Sequence, residues 1–506
     1  TTFGTYVFAD CANLSEVTFA ENMTVKSLGN YMFMNCTALK TITLPASLTY
    51  LGTRTFQGAG LTRIDLTALT GLTCLGTSAT SCTATSSVYL FDACADLEEV
   101  ILPASVKKIG AYVFRDCASL ENVVMDGVEL IGKQAFMITG LKNLALPGTM
   151  KQFGDDAFRN CANLQTIAIN SNVTSYGKYV FAECPLLAEV TIGGGATKLG
   201  DYMFYGCAAL KTATLPGTVT YLGRYTFQGS GLTEIDLSAL TQLTCFGTSA
   251  TSCSTSAVSN VFAYCKDLTG GVLPDTLTKI GGYAFYGCES LTDINLGNVV
   301  QFNDFALAGT SIGSVTLSSA LTHVGAGVFA GCANVEEIAV RAGSSGYRSV
   351  SGVLYNADNE IVAYPSGKVP EGGVLTITAD MGVGEGAFAG CTGISEVIIE
   401  EGITVIGDYA FYDSAVKKVT LPSTVTEIGQ YAFAYSDVAE IALPSTLTEI
   451  GQYAFAYSAL KSVTVPESVS TMGEYAFAYS MLESATLQGS YFVTHMFDGC
   501  GQLSQV

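Results

Sequence analysis

The sequence predicts a solenoid of the α/β class, a curved rod in which short parallel strands alternate with tight turns. Three observations predict it: a motif of 22–23 residues that recurs along the 506-residue chain, an apolar alternation in each copy, and a Gly four residues before a fixed Phe. The motif TLPSTVTEIGQYAFAYS at 420–436 returns as ALPSTLTEIGQYAFAYS at 442–458 and as TVPESVSTMGEYAFAYS at 464–480. We expect about 20 repeats, each adding one short strand to a parallel β-sheet.

The strand of each repeat is predicted from its side-chain alternation. In the segment LKTITL at residues 39–44, Ile42 and Leu44 are separated by a Thr. This alternation of β-branched and apolar residues predicts a short strand with one buried face. Pro45 ends this strand, because Pro has no backbone N–H to donate to a neighbouring strand.

A turn with an inward-facing Phe, here called the anchor Phe, follows each strand. The Gly-x-x-Ala/Thr-Phe segment bends the chain, and we expect a helical or 3₁₀ turn there. The anchor Phe recurs from Phe8 to Phe497, and Phe305 is assigned to this row. The row predicts a continuous apolar interior shared by successive repeats.

Two unusually long repeats indicate an internal duplication. The anchor positions 56 and 91 are 35 residues apart, as are positions 227 and 262, and the surrounding sequences match at an offset of 171 residues. We therefore predict that a block of several repeats is duplicated, with copies at about 1–175 and 176–340. Both chain ends fall inside a repeat, so we expect the chain to be a piece of a longer protein.

Residues 341–380 lack an anchor Phe. Within them, residues 352–365 predict two short strands around an Asn/Asp turn, which is typical of a β-hairpin. We predict three parts: a first repeat segment at 1–340, a β-hairpin interruption at 341–380 and a second repeat segment at 381–506.

Composition excludes several classes of protein. Hydrophobic residues make up 49% of the chain and charged residues 13%, so the chain is not disordered. No apolar run approaches 18 residues, and no transmembrane segment is predicted. The net charge of −21 opposes nucleic-acid binding, which requires a basic surface.

The repeats resemble the BspA-like, Treponema pallidum-type leucine-rich repeats, which share the strand-Leu-Pro, Leu-x-x-Ile-Gly and Ala-Phe-x-x-Cys blocks. The sequence GVLYNADNEIVAYPSGK at 352–368 is similar to the segment that interrupts those arrays. The resemblance implies a leucine-rich repeat solenoid and an extracellular or cell-surface protein that acts in adhesion to host or other cell-surface proteins. It carries no catalytic motif to transfer and implies no cofactor.

Most cysteines occupy one position of the repeat. Twelve of the 16 lie three residues after an anchor Phe, where other repeats place Ala, Ser or Thr. This position therefore requires a small side chain, one able to donate weakly to a turn carbonyl. We expect these thiols to be reduced, and the absence of a CxxC pair or a Cys/His cluster predicts no metal site.

The remaining four cysteines lie eight residues apart in the two duplicated insertions: Cys74, Cys82, Cys245 and Cys253. One interpretation is a local disulfide in each insertion. The other is that Cys74 and Cys245 take the place that Tyr50 and Tyr221 hold in adjacent repeats.

The sequence predicts a non-enzymatic protein. His323 and His495 are the only histidines, and no GxSxG, HExxH, Walker A or EF-hand spacing occurs. Adjacent acidic residues such as Glu98 and Glu99 lie on a strand, where neighbouring side chains point to opposite faces. No catalytic residue, metal ligand or cofactor-binding residue is assigned.

Two rows of tyrosines in the second repeat segment are the candidate binding surface. Tyrosine offers a large, rigid contact area with a polar tip, although mutual stacking between repeats also explains such rows. The first row contains Tyr409, Tyr431, Tyr453 and Tyr475, and the second row contains Tyr412, Tyr435, Tyr457 and Tyr479. The predicted function is adhesion or protein–protein binding. The alternatives are a passive spacer and, disfavoured by the absence of Trp, a carbohydrate-binding module.

Overall fold

A computed structural model describes residues 3–76, 82–247, 253–489 and 492–506. Apart from three antiparallel strands between residues 340 and 380, successive turns of the chain lay their strands side by side in parallel, which confirms the predicted leucine-rich repeat solenoid. The chain divides into two compact units. The first contains Thr1–Leu243 with Tyr264–Leu268, and the second contains Thr244–Ala263 with Thr269–Val506.

Most turns carry two strands rather than the single predicted one. The first strand is the predicted one. The second has two residues, and in most turns one of them is buried, as in Glu427–Ile428, which pairs with Glu449–Ile450. A strand with only one inward residue shows no alternation, so the sequence pattern did not reveal it.

The strands of the first unit fall into two sets. The first strands of its turns are Arg63–Asp65, Glu99–Ile101, Asn122–Val124, Asn143–Leu144, Thr166–Ile169, Glu189–Ile192, Thr212–Thr214 and Glu234–Asp236. The second strands are Cys74–Leu75, Lys108–Ile109, Leu130–Ile131, Gln152–Phe153 and Ser175–Tyr176.

The second unit repeats this organisation. Its first strands are Gly270–Val272, Asp293–Ile294, Val315–Leu317, Ile338–Val340, Val374–Ile377, Glu396–Ile399, Lys418–Thr420, Glu440–Ile441, Ser462–Val465 and Ser484–Leu487. Its second strands are Cys245–Phe246, Lys279–Ile280, Gln301–Phe302, His323–Val324, Gly382–Val383, Val405–Ile406, Glu427–Ile428, Glu449–Ile450 and Thr471–Met472. A 3₁₀ helix at Glu371–Gly373 is the only helix among the residues described.

Three antiparallel strands lie between residues 340 and 380. Tyr347–Val350 pairs with Val353–Asn356, which pairs with Glu360–Ala363. The Asn356 side chain accepts hydrogen bonds from the backbone amides of Asp358 and Glu360 and so closes the turn between the last two strands. Glu360–Ala363 then pairs in parallel with the next turn. The boundaries at residues 340 and 380 stay a prediction.

The anchor Phe residues form a stacked column inside each unit. From Phe8 to Phe227 in the first unit, neighbouring ring centroids lie 5.1–5.8 Å apart. From Phe388 to Phe497 in the second, they lie 5.0–5.7 Å apart. The column fixes the distance between successive turns.

The assignment of Phe305 to the anchor row is wrong. Leu307 occupies the anchor position, since its carbonyl accepts the Cys332 thiol as an anchor Phe carbonyl does in other turns. Phe305 lies two residues earlier and stacks on Tyr283 with centroids 5.3 Å apart. Farther along the chain, Tyr364 supplies an anchor ring 5.5 Å from Phe388.

The turn around the anchor is not the expected helix. Tyr431 and Tyr435, two residues before and after Phe433, have left-handed φ angles of 53° and 59°. The amides of these three residues donate to carbonyls of the next turn at 2.7–2.9 Å. Alternate amides therefore bond between turns, a pattern that an α-helix cannot make because its amides bond within the helix.

Substitution of Gly386 tests the close contact between two turns of the second unit. Gly386 has a φ of 64°, and a Cβ there would overlap the backbone nitrogen of Gly327. We expect Gly386→Ala to lower the free energy of unfolding by about 2–4 kcal/mol. Gly501→Ala is the control, because no atom lies within 4 Å of a Cβ at Gly501. Urea unfolding measures both, and equal stability of the two variants would contradict this packing.

Candidate binding surfaces

The inner Tyr column consists of the tyrosines two residues before the anchor Phe: Tyr409, Tyr431, Tyr453 and Tyr475. Their ring centroids lie 4.8–5.0 Å apart and their planes are within 12° of parallel. The rings are half-buried. Burial raises the pKa of Tyr409 to about 12. The rings of this column stack on one another between turns, and its use as a binding surface stays a prediction.

The outer Tyr column consists of Tyr435, Tyr457 and Tyr479, two residues after the anchor Phe. The rings stack at 4.6 and 4.8 Å, yet each residue is 44–46% exposed. Stacking holds the rings in place while almost half of each residue remains exposed to solvent. The Tyr479 hydroxyl donates to Asp498 at 3.5 Å. Rigid, exposed aromatic rings are the side chains that dominate binding energy in many interfaces.

The placement of Tyr412 in this second row is wrong. Tyr412 follows its anchor Phe directly, as Ala434 does, because the sequence there is FYDS rather than FAYS. Its ring meets Tyr435 edge-on at 5.5 Å and packs against Phe305 at 5.5 Å. Tyr412 therefore packs, partly buried, against a small buried cluster that contains Phe305, and it is not part of the outer Tyr column.

The first unit combines its tyrosines with arginines, which the sequence interpretation missed. Arg54 replaces a Tyr two residues before the anchor Phe, and its guanidinium lies 4.2 Å from the centroid of Tyr89. Arg115 directly follows an anchor Phe and lies 5.4 Å from the centroids of both Tyr89 and Tyr112. The signal in the sequence was an Arg at or beside the position that carries Tyr in other repeats.

Carboxylates complete these arginine sites. Arg115 donates to both carboxylate oxygens of Asp92, at 2.8 and 3.2 Å, and the Asp92 side chain is only 2% exposed. Burial raises the pKa of Asp92, and the charge and hydrogen bonds of Arg115 oppose that shift. Arg159 lies 5.0 Å from the Tyr179 centroid and donates to Glu183 at 2.8 and 3.1 Å.

An acidic depression lies beside the second strands of the second unit. Glu385, Asp408 and Glu427 line it. Partial burial and then neighbouring carboxylates raise the pKa values of Glu385 and Glu427. Within the described ranges, no group of three or more His, Cys, Asp or Glu side chains has a geometry suited to a metal ion.

The repeated cysteines hydrogen-bond between turns. The thiols of Cys94 and Cys117 donate to the carbonyls of the preceding anchors Phe56 and Phe91 at 2.9 and 3.0 Å. Where Ser replaces Cys, as at Ser436, the hydroxyl donates to the anchor carbonyl of its own turn at 2.7 Å. Both arrangements satisfy carbonyls inside a turn, which explains the restriction to small side chains.

The two insertions differ at their cysteines. Cys245 and Cys253 form a disulfide. The thiols of Cys74 and Cys82 are not covalently linked, and the Cys82 thiol donates to the carbonyl of Leu75 at 3.3 Å. A disulfide between Cys74 and Cys82 stays a prediction. The intervening residues 77–81 and 248–252 lie outside the described ranges.

The fold and its exposed surfaces define a leucine-rich repeat solenoid. A family model for the BspA type Leucine rich repeat region matches residues 1–125, 87–194, 129–256, 255–349 and 382–504. These matches cover most of the sequence, and the chain belongs to this family.

The chain is similar to several solved leucine-rich repeat structures. A leucine rich cell surface protein from Faecalibacterium prausnitzii is 22% identical over 70% of this chain and 82% of its own, with a TM-score of 0.46. A leucine-rich repeat protein from Bacteroides ovatus is 23% identical over 78% of this chain and 83% of its own, with a TM-score of 0.36. The Treponema pallidum leucine-rich repeat protein is 29% identical over 33% of this chain and 76% of its own, with a TM-score of 0.30.

No curated protein matches the chain. Among the described residues, no helix has the length and apolar character needed to cross a membrane.

Thiol alkylation tests the role of the repeated cysteines. Burial raises the pKa of Cys94 and Cys207 to about 12, so at pH 8 almost none of either thiol is the reactive thiolate. We expect iodoacetamide to modify the exposed Cys11 first in the folded chain, and the buried repeated cysteines only after unfolding without reductant. Intact mass and peptide mapping measure this. Rapid labelling of Cys94 or Cys207 in the folded chain would contradict a buried structural role.

Proposed function

We propose that this chain is a non-enzymatic, extracellular or cell-surface protein that binds other proteins and mediates adhesion to host extracellular matrix or other cells. The outer Tyr column is the observation that carries the proposal. Tyr435, Tyr457 and Tyr479 are stacked rigidly by the fold and remain almost half exposed. Such residues bind with little loss of side-chain entropy.

The side chains of the interior are occupied by contacts between turns, which leaves the outer surface for binding a partner. The anchor rings and most repeated cysteines are fully buried and are used in contacts between turns. Outward positions of the first strands, such as Thr191, Thr420 and Thr464, are exposed and polar. The extended outer face is therefore available for a macromolecular partner.

Two alternatives predict different behaviour. A passive spacer requires the solenoid but not the outer Tyr column. A carbohydrate-binding module requires an aromatic platform, and tyrosine is its only candidate here because the chain contains no Trp. The adhesion proposal is favoured because the exposed tyrosines recur in three successive repeats.

Replacement of the three outer tyrosines tests the proposal. Asn tolerates the left-handed backbone angles of 57–59° at these positions, so Tyr435→Asn/Tyr457→Asn/Tyr479→Asn removes the rings with little backbone strain. We expect binding to epithelial cells and immobilised matrix proteins to fall about tenfold or more. Flow cytometry and surface plasmon resonance measure this.

The matched control replaces exposed residues of the strand face by Thr420→Ser and Thr464→Ser. It should bind like the unmodified chain. Circular dichroism at increasing temperature checks that all proteins are folded. Equal binding by the Tyr variant and the unmodified chain would favour the spacer, and no binding by the unmodified chain would contradict adhesion.

A further inference from the structure

We propose that Cys74 and Cys82 are a peroxide-reactive dithiol, a modification site that closes reversibly into a disulfide, whereas the equivalent pair in the second insertion is a permanent structural disulfide. The inference goes beyond the proposed binding function and does not depend on it. It follows from a comparison of the two duplicated insertions at equivalent positions.

The two cysteine pairs occupy equivalent places in the two copies. They are related by the offset of 171 residues, and Cys74 and Cys245 each begin a two-residue second strand. In both copies this cysteine pairs with a Lys of the next turn, Lys108 in the first copy and Lys279 in the second. Because the second pair forms a disulfide in this setting, the same setting in the first copy accommodates one.

In the first insertion, the thiol form has hydrogen bonds of its own. The Cys82 thiol donates to the carbonyls of Leu75 and Lys108, at 3.3 and 3.6 Å, and so joins two neighbouring turns. A disulfide has no S–H to donate, so oxidation removes both bonds. These bonds therefore favour the dithiol as the resting state of the first insertion.

The second insertion is held by two buried amide side chains. The Gln301 amide donates to the carbonyl of Cys253 at 3.4 Å, and the Asn303 amide donates to the carbonyl of Ser254 at 2.9 Å. Gln301 is only 6% exposed and Asn303 only 2%. A cysteine whose backbone is already held loses less chain entropy when its disulfide closes, so these amides stabilise the second disulfide.

The first insertion lacks these two amides. Leu130 and Gly132 stand at the equivalent positions and have no side-chain donor. The segment after Cys82 is held instead by a backbone hydrogen bond from the Lys133 amide to the carbonyl of Ala84 at 2.6 Å. The carbonyl of the cysteine itself therefore receives no side-chain amide, and we expect a disulfide in the first insertion to be the more easily reduced of the two.

Cys74 carries the reactive sulfur of the first pair. A hydrogen bond from the Cys82 thiol lowers the pKa of Cys74, burial opposes this shift, and the charge of Lys108 adds to it. The same hydrogen bond, followed by burial, raises the pKa of Cys82. A thiolate, rather than a thiol, attacks an oxidant. Cys74 is therefore the nucleophile and Cys82 the resolving thiol.

Both cysteines are buried, which restricts the oxidant to a small molecule. Cys74 is 5% exposed and Cys82 is 4% exposed, so hydrogen peroxide fits better than a bulky disulfide such as oxidised glutathione. The Cys74 thiolate attacks one peroxide oxygen, the O–O bond breaks, and the leaving hydroxide takes up a proton to become water. The Cys82 sulfur then attacks the sulfenic acid, the S–O bond breaks, and the thiol proton leaves with the hydroxide as a second water. Two thiols are oxidised and one peroxide is reduced.

Peroxide oxidation of the full chain tests the inference. The folded chain is exposed to hydrogen peroxide near neutral pH, alkylated under unfolding conditions and mapped by tandem mass spectrometry. We expect the Cys74–Cys82 disulfide to form at least about ten times faster than buried repeated thiols such as Cys94 are oxidised. Equal rates, or faster oxidation by glutathione disulfide than by peroxide, would overturn the inference.

Two single variants separate the roles of the two sulfur atoms. Cys82→Ser keeps a hydroxyl group for the same carbonyls but removes the resolving thiol, so a sulfenic acid should persist at Cys74 and react with dimedone. Cys74→Ser should leave Cys82 unreactive. Thermal unfolding followed by circular dichroism checks that both variants are folded. No dimedone adduct in Cys82→Ser, or equal adducts in the two variants, would contradict the assigned roles.

Reduction compares the two disulfides directly. After peroxide treatment, we expect dithiothreitol to reduce the Cys74–Cys82 disulfide with an equilibrium constant at least about tenfold larger than that of the second disulfide, or about 30 mV. Gln301→Leu copies the first insertion and should make the second disulfide several-fold easier to reduce. Gln452→Leu, at an exposed position, is the matched control and should change nothing. Equal reducibility of the two disulfides in the unmodified chain would overturn the inference.

Discussion

The stacking of each anchor ring on the ring of the next turn is the contact on which the structure depends. Neighbouring ring centroids are 5.0–5.8 Å apart. At this spacing, every second backbone amide of a turn can donate a hydrogen bond to a carbonyl of the next turn. This arrangement places Tyr431 and Tyr435 in left-handed conformations that cost about 1–2 kcal/mol each. Aromatic stacking of about 0.5–1.5 kcal/mol per pair and the bonds between turns offset that cost.

Because the turns stack in this way, inward side chains pack between turns and outward side chains are free to vary. Inward Phe, Leu and Cys residues contact the neighbouring turns, and most of the repeated thiols are buried there. The residue two positions after the anchor points outward and tolerates Asp, Asn, Gly or Tyr at a left-handed φ, as Asp413 and Tyr435 show. The fold thus allows outward residues to vary while it holds their spacing fixed, which suits a surface that recognises a partner.

The repeat, its first strand and the buried Cys position could be predicted because each leaves a periodic pattern. The turn could not, since tyrosine rarely adopts a left-handed φ and the Ala-Phe pattern is typical of helix. Phe305 was misassigned because residue type was followed instead of spacing: Leu307 lies 22 residues after Phe285, and Phe305 only 20. Tyr412 was misplaced by one residue, and the role of Arg115 depends on contacts between turns that no local pattern records.

Oxidative footprinting of tyrosine side chains, with and without a bound protein partner, tests most directly whether the outer column is the binding surface. The account predicts that Tyr435, Tyr457 and Tyr479 lose reactivity on binding while exposed tyrosines of the first unit, such as Tyr6, do not change. Unchanged reactivity of the three outer tyrosines in a saturated complex would contradict it.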